Sequence, residues 1–288
     1  MLDLAKSPVA QKLRASAEKV GAGLTVLRAL PKPPLDAVGP FVFLDHFGPA
    51  APPAGGVPAH PHAGIEVVTY LIDGENDHRD SMGNVGAIKA GGAQWITSGR
   101  GMLHAEFPRG DANGLAHMAQ LWARQPLALD DAAPAYHAIE ADEVPQRAIE
   151  RGRLRLLAGK LPDLFAVAGP VALAMPALLL HLTLEPGGEF AAPLDDSFEM
   201  GVYALAGVAT LGATDIGRGE LALLAPARSV AIVNHRATTL EALLLGGARA
   251  ARPLMVRGPY VFNSAAAIER AQRDFVEGRM GRLDGVPF

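Results

Sequence analysis

The chain has no cysteine in 288 residues. This excludes disulfides, thiolate metal sites and cysteine nucleophiles, and it fits a reducing compartment, the cytoplasm. Charge excess is also missing. A formal net charge of −4 supplies no general basic footprint for nucleic acid or an anionic membrane, so neither is an expected partner. Long apolar runs are absent as well. The N-terminal MLDLAKSPVAQKLRASAEKV mixes charges with short apolar pieces and lacks the continuous core of a secretion signal. The most apolar stretch, Pro170 to Pro186, is too short for a bilayer span and is interrupted by Pro176 and His181, so it is expected as buried strand.

Turn residues are plentiful. The 32 glycines and 23 prolines make up nearly a fifth of the chain and punctuate many short runs of Val, Leu, Ile and Ala. That pattern predicts an all-β sandwich or barrel. A repeat supports it. Glu66, Tyr70 and Gly74 lie four residues apart, and Glu199, Tyr203 and Gly207 repeat the spacing at an offset of 133. At an offset of 128, Gly91 falls on Gly219, Trp95 on Leu223 and Arg100 on Arg228. Two tandem β units follow, of the closed or double-sheet kind that protects its edges. In this alignment His60 and His62 become Pro193 and Asp195, while His104 and Glu106 become Ile232 and Asn234. One half carries candidate ligands and the other does not.

Alternate side chains of a strand share a face, so His60 and His62 can point into one cavity, as can His104 and Glu106. Two such pairs on neighbouring strands bring three imidazole nitrogens and one carboxylate together. That set suits a first-row divalent ion with positions left open, closer to non-haem iron or manganese than to closed structural zinc. Glu66 is a rival carboxylate, but its counterpart Glu199 persists in the half without histidines, so a structural role is expected, with Glu66 held in reserve.

Other polar residues fit blander roles. Phe41, Phe43 and Phe47 are expected in the core, with Asp45 and His46 at the rim of a pocket. Trp95 and Ile96 are expected inside the barrel, Met102 and Leu103 in structural roles, and Ser98 to Gly101 in a tight turn before His104. His78 and Asp80 are expected in a hydrogen-bonded loop. His117, His137, His181 and His235 have no ligand partners in sequence. Ser264 is a good helix N-cap, and Ile268, Ala271 and Phe275 follow at helical spacing.

GVPAHPHAGIEVVTYLIDG resembles the first motif of the cupin superfamily. With VGPFVFLDHFGPA, the block HPHAGIEVVTYLIDGENDHRDSMGNVGAIKAGGAQWITSGRGMLHAE, and VRGPYVFNS near the end, the chain is most similar to the pirin family of cupins. Ala90 stands where many relatives have proline. The resemblance implies a bicupin: two jelly-roll barrels over 1–135 and 136–288, with a C-terminal tail (about 253–280) packing back on the barrels. VRGPYVFN would then add a strand to the first barrel. It also implies a metal, usually iron, in the first barrel only, on His60, His62, His104 and Glu106. Fe2+ is the expected ion; Mn, Ni, Cu and Zn also suit these ligands. Pirin-like proteins are associated with quercetin 2,3-dioxygenase activity, which implies a flavonol-like aromatic substrate and O2, with Glu106 as both ligand and base for the 3-hydroxyl. The alternative is a non-catalytic, iron-containing regulatory or redox-sensing protein that binds a protein partner. A monomer is expected.

Overall fold

The computed structural model describes residues 8–285; residues 1–7, which begin the stretch read above for a secretion signal, and 286–288 lie outside the described residues. Strands dominate, with one α-helix, Ala265–Val276. The residues group into two compact units interleaved along the chain. One comprises 17–27, 43–143 and 250–288; the other comprises 1–16, 28–42 and 144–249. The first and last segments of the chain therefore do not belong to the same unit. Among the described residues, no helix is long and apolar enough to cross a membrane.

The first barrel is built on a four-stranded sheet in the order Val57–His62, Met102–Arg109, Glu75–Asp80, Val85–Lys89. Its seven-stranded sheet runs Ala135–Ile139, Ala93–Thr97, Ile65–Asp73, Ala116–Arg124, Phe41–Ala50, Leu24–Leu30, Ser16–Val20. Alternation along these strands sends one set of side chains between the sheets, where Leu24, Val26, Phe47, Leu71, Ile88 and Met118 pack together.

The second barrel repeats the plan. Its four strands run Glu189–Pro193, Ser229–Val233, Val208–Leu211, Thr214–Gly217. Its seven run Val9–Arg14, Glu220–Leu224, Glu199–Ala206, Leu240–Gly247, Ala177–Leu184, Gly152–Ala158, Gln146–Ile149. The edge strand comes from opposite ends: Ala135–Ile139 follows the first barrel's other strands, whereas Val9–Arg14 precedes the second's. The stretch from Pro170 forms strand only over Ala177–Leu184, and there Leu178, Leu180, Leu182 and Leu184 enter the core. Each barrel packs a four-stranded against a seven-stranded sheet, the double-sheet β fold expected from the repeat and the jelly roll that the cupin resemblance implies.

The recurring residues of the repeat are structural. Tyr70 and Tyr203 are fully buried, and a Glu199 oxygen accepts the Gly39 N–H at 2.9 Å. The tail differs from expectation in one respect. Met255–Arg257 and Tyr260–Phe262 pair with each other as a separate two-stranded ribbon, whose β-pairing to the barrel among the described residues is one isolated bridge between Tyr260 and Ala63. Gly64 permits this approach: its φ is +80°, and an added Cβ would collide with the Val261 carbonyl. Tyr260, Phe262, Ile268, Ala271 and Met280 then cluster with Ala63 and Leu103.

The helix starts as the sequence predicts, the Ser264 hydroxyl accepting the Ala267 N–H at 3.3 Å. Ser264→Ala should cost about 1 kcal/mol, read as a lower urea midpoint at unchanged m-value. An unshifted midpoint would show that the cap contributes nothing.

Candidate metal centre

The strands Val57–His62 and Met102–Arg109 pair antiparallel, with His60 opposite His104 and His62 opposite Met102. The i,i+2 spacing aims His60 and His62 to one side, where His104 meets them. The Nε2 of His60 lies 3.1 Å from that of His62 and 3.0 Å from that of His104. His62 and His104 are buried, and His60 is half-buried.

Carbonyls fix the tautomers of two rings. His60 Nδ1 donates to the Pro58 carbonyl at 2.8 Å and His62 Nδ1 to the Pro259 carbonyl at 3.2 Å. A carbonyl can only accept, so Nδ1 carries the proton and Nε2 presents a lone pair. Burial, reinforced at His62 and His104 by the neighbouring imidazoles, lowers all three histidines from their ordinary value. They are therefore neutral at pH 7. Lone pairs converging in a buried site call for a cation between them, and the spacing fits one. Imidazole nitrogens bind such metals at about 2.0–2.1 Å, which puts two ligands at right angles about 2.9–3.0 Å apart and two tetrahedral ones about 3.3–3.4 Å apart. The two separations from His60 lie nearer the right-angled value, and all three nitrogens fall within 4.8 Å of one another; a right-angled set leaves further positions open.

Glu106 lies on the same strand as His104 but outside the cluster, which brings together only His60, His62 and His104 among the described residues. The register shifts between His104 and Glu106, and Glu106 falls opposite Val57. A polar cradle holds its buried carboxylate. Oε1 accepts from Thr69 Oγ1 and Asn76 Nδ2, each at 3.2 Å, and more closely from Gln94 Nε2; Oε2 accepts from Gln120 Nε2 at 2.8 Å. Gln94, Thr69 and Gln120 sit opposite one another on three adjacent strands of the larger sheet. Sequence reasoning did not find these amides. Their signal is parity, since each is a polar residue at an inward position of an otherwise apolar strand.

Several expectations need correction. Glu66 and Trp95 do not face the centre. They lie on the opposite face of the sheet from Thr69 and Gln94, where Trp95 Nε1 donates to Glu66 at 3.0 Å and stacks on His137. His78 and Asp80 are in the strand Glu75–Asp80 rather than a loop, opposite Glu106 and His104. His78 is fully buried, 3.2 Å from Asp80 and stacked on Tyr136. His46 and His117, assigned a rim position and no partner, are buried and joined at 2.8 Å between their Nε2 atoms. His181 also has a partner, Glu241, at 2.6 Å. Of the three phenylalanines, Phe43 reaches the site through Trp122, which it stacks on at 3.9 Å and which meets His62 edge-on.

The second barrel corrects the repeat alignment. Its Phe190 pairs with Ile232 as His60 pairs with His104, and Ala192 pairs with Val230 as His62 pairs with Met102. Phe190 and Ala192, not Pro193 and Asp195, therefore stand where the first barrel has its histidines. With Ile232 they fill the core. Asn234, in place of Glu106, donates to the Leu184 and Thr238 carbonyls. Among the described residues, the candidate metal cluster of three or more ligands lies in the first barrel, on His60, His62 and His104.

Comparison with known proteins matches the two barrels to two different family models. Residues 23–123 match the pirin profile, and residues 179–281 match the pirin C-terminal cupin domain. A pirin-like protein of Solanum lycopersicum is 30% identical over 276 residues, 95% of this chain and 92% of that protein. A Pseudomonas aeruginosa protein provisionally named a quercetin 2,3-dioxygenase is 35% identical over 281 residues, 96% of this chain and 87% of its own. The crystal structure of a quercetin 2,3-dioxygenase from Acinetobacter baumannii superposes with a TM-score of 0.87 at 29% identity, covering 96% of this chain and 99% of the other. From its two barrels, its one-sided histidine cluster and these matches, the chain belongs to the pirin family of bicupins.

Proposed function

We propose that the protein is a metal-dependent dioxygenase of the quercetin 2,3-dioxygenase type, opening a flavonol-like hydroxylated aromatic with O2. His60, His62, His104 and Glu106 hold the ion, Fe2+ in the first instance. The observation that carries this is the convergence of the His60, His62 and His104 ring nitrogens, all within 4.8 Å of one another and two of them 3.0 and 3.1 Å from that of His60, in a set that leaves coordination positions open. The bound ion supplies a Lewis acid for the substrate's 3-oxygen and a centre at which oxygen chemistry occurs.

The chain's own residues do the rest. Oε2 of Glu106 has one hydrogen-bond donor, whereas Oε1 has three, so Oε2 is the oxygen free to meet the ion or, when off the ion, to accept the 3-hydroxyl proton. The cradle keeps that oxygen oriented. Trp122 and Phe43, each 8% exposed, wall the site beside His62 with aromatic surface and exclude water from it.

Protein loaded anaerobically with iron(II), then given quercetin and oxygen, should consume O2 and release carbon monoxide in equal amounts. Metal-free protein and His62→Ala should do neither. Equal rates in all three would reject this activity for that substrate.

A further inference from the structure

The strand Ala116–Arg124 places Gln120 and Trp122 on one face. The Gln120 amide nitrogen donates to Glu106 Oε2 at 2.8 Å and to Thr69 Oγ1 at 3.2 Å, and its amide oxygen accepts the Trp122 indole N–H at 3.3 Å. Trp122 in turn stacks on Phe43, with 9° between the rings, and meets His62 edge-on at 4.8 Å. One side chain thus joins the carboxylate to the aromatic surface that packs against a histidine of the cluster.

We propose that Gln120 is a positioning residue that sets the Glu106 carboxylate and the Trp122 indole in fixed relation, so that the metal-binding oxygen and the aromatic wall move as one unit. The proposal rests on the reading of Glu106 as a ligand. Three features support it. Oε1 is held by Thr69, Asn76 and Gln94, and among the described residues Gln120 is the one donor to Oε2, so it completes the hold on the carboxylate at the oxygen left for the ion. A carboxamide offers a donor and an acceptor on its two terminal atoms without carrying charge. Glutamate would set oxygen against oxygen at Glu106, leucine would fill the space with neither function, and asparagine falls a methylene short. The same contact also makes Trp122 a reporter, because a change at Oε2 reaches the indole N–H through a single side chain.

The test uses Mn(II), whose free and bound forms are separable by EPR, in a Trp95→Phe background where Trp122 is the sole tryptophan. Gln120→Leu should bind Mn(II) about 10- to 100-fold more weakly, as expected on losing a group that orients a ligand. The fluorescence change of Trp122 on metal binding should disappear in that variant. Trp122→Phe keeps an aromatic ring beside Phe43 but removes the indole N–H together with the second ring; it should weaken binding a few-fold, so it carries the test if Gln120→Leu does not fold. Glu106→Gln separates the two levels. If it weakens Mn(II) binding while Gln120→Leu and Trp122→Phe bind as the parent does, the positioning role is overturned and the ligand reading stands. If all three bind as the parent does, the ligand reading fails and the proposal falls with it.

Discussion

Replacing His104 with alanine should weaken iron(II) binding by about 100- to 1,000-fold. Four-ligand sites bind with roughly 10–16 kcal/mol, about 3 kcal/mol per ligand, and each 1.4 kcal/mol is about tenfold in affinity. His104 also lies at the centre of the cluster's electrostatics, since burial and the neighbouring His60, His62 and His78 all lower its proton affinity. The metal-free protein should show this as a pH dependence. Unfolded histidines take up protons near pH 6.5, while the buried ones resist. Stability is therefore full above about pH 6.5 and falls as the pH drops below it, by at most about 1.4 kcal/mol per pH unit for each histidine. His104→Ala removes one resisting base, so its acid slope should be shallower. Dialysis against iron(II) and urea unfolding between pH 5 and 8 measure the two effects. Unchanged affinity would remove His104 from the centre; an unchanged slope would show that its imidazole takes up protons normally when folded.

Arg124→Met should destabilise the first barrel by about 3–5 kcal/mol, the range for breaking a buried ion pair by removing one partner. Arg124 is 1% exposed. Its guanidinium forks onto Asp130 at 2.8 and 3.0 Å, donates to the Gly64 carbonyl at 2.8 Å and to Asn263 at 3.0 Å, and lies over Phe262. It ties the turn after His62 to the C-terminal ribbon. Methionine would fill part of the volume but leave Asp130 without its cation and the Gly64 carbonyl with only the Gln125 N–H. Arg124→Met/Asp130→Leu, which removes both charges, should recover part of the loss. A single-variant loss under about 1 kcal/mol by urea unfolding would mean that the fork is solvated in practice.

The histidine pairs were legible because strand parity is local: two residues apart means one face, whatever the fold. Glu66 takes the structural role expected of it, bonded to Trp95: the turn at Ala63 and Gly64 separates it from the first pair, so the parity of His60 and His62 does not extend to it. The repeat alignment slid by three residues for a related reason. Anchors at Glu66 and Glu199 align one strand, but the loop leading into it differs in length between the barrels, and only the pairing of Phe190 with Ile232 locates the true counterparts. The cradle around Glu106 was hidden more deeply. It gathers Thr69, Asn76, Gln94 and Gln120 from four strands in two sheets, and no spacing in one dimension encodes such a meeting. The interleaving of the chain was equally silent, because an edge strand such as Val9–Arg14 carries no mark of which sheet it will join.

The central claim is one ion in the first barrel and none in the second. Its most direct test is an anomalous difference map at the iron edge, from crystals of protein purified with iron supplied. The account predicts one peak per chain, in contact with the Nε2 atoms of His60, His62 and His104 and with one oxygen of Glu106. A peak at another cluster, such as His46 and His117, or no peak at the three histidines, would contradict it.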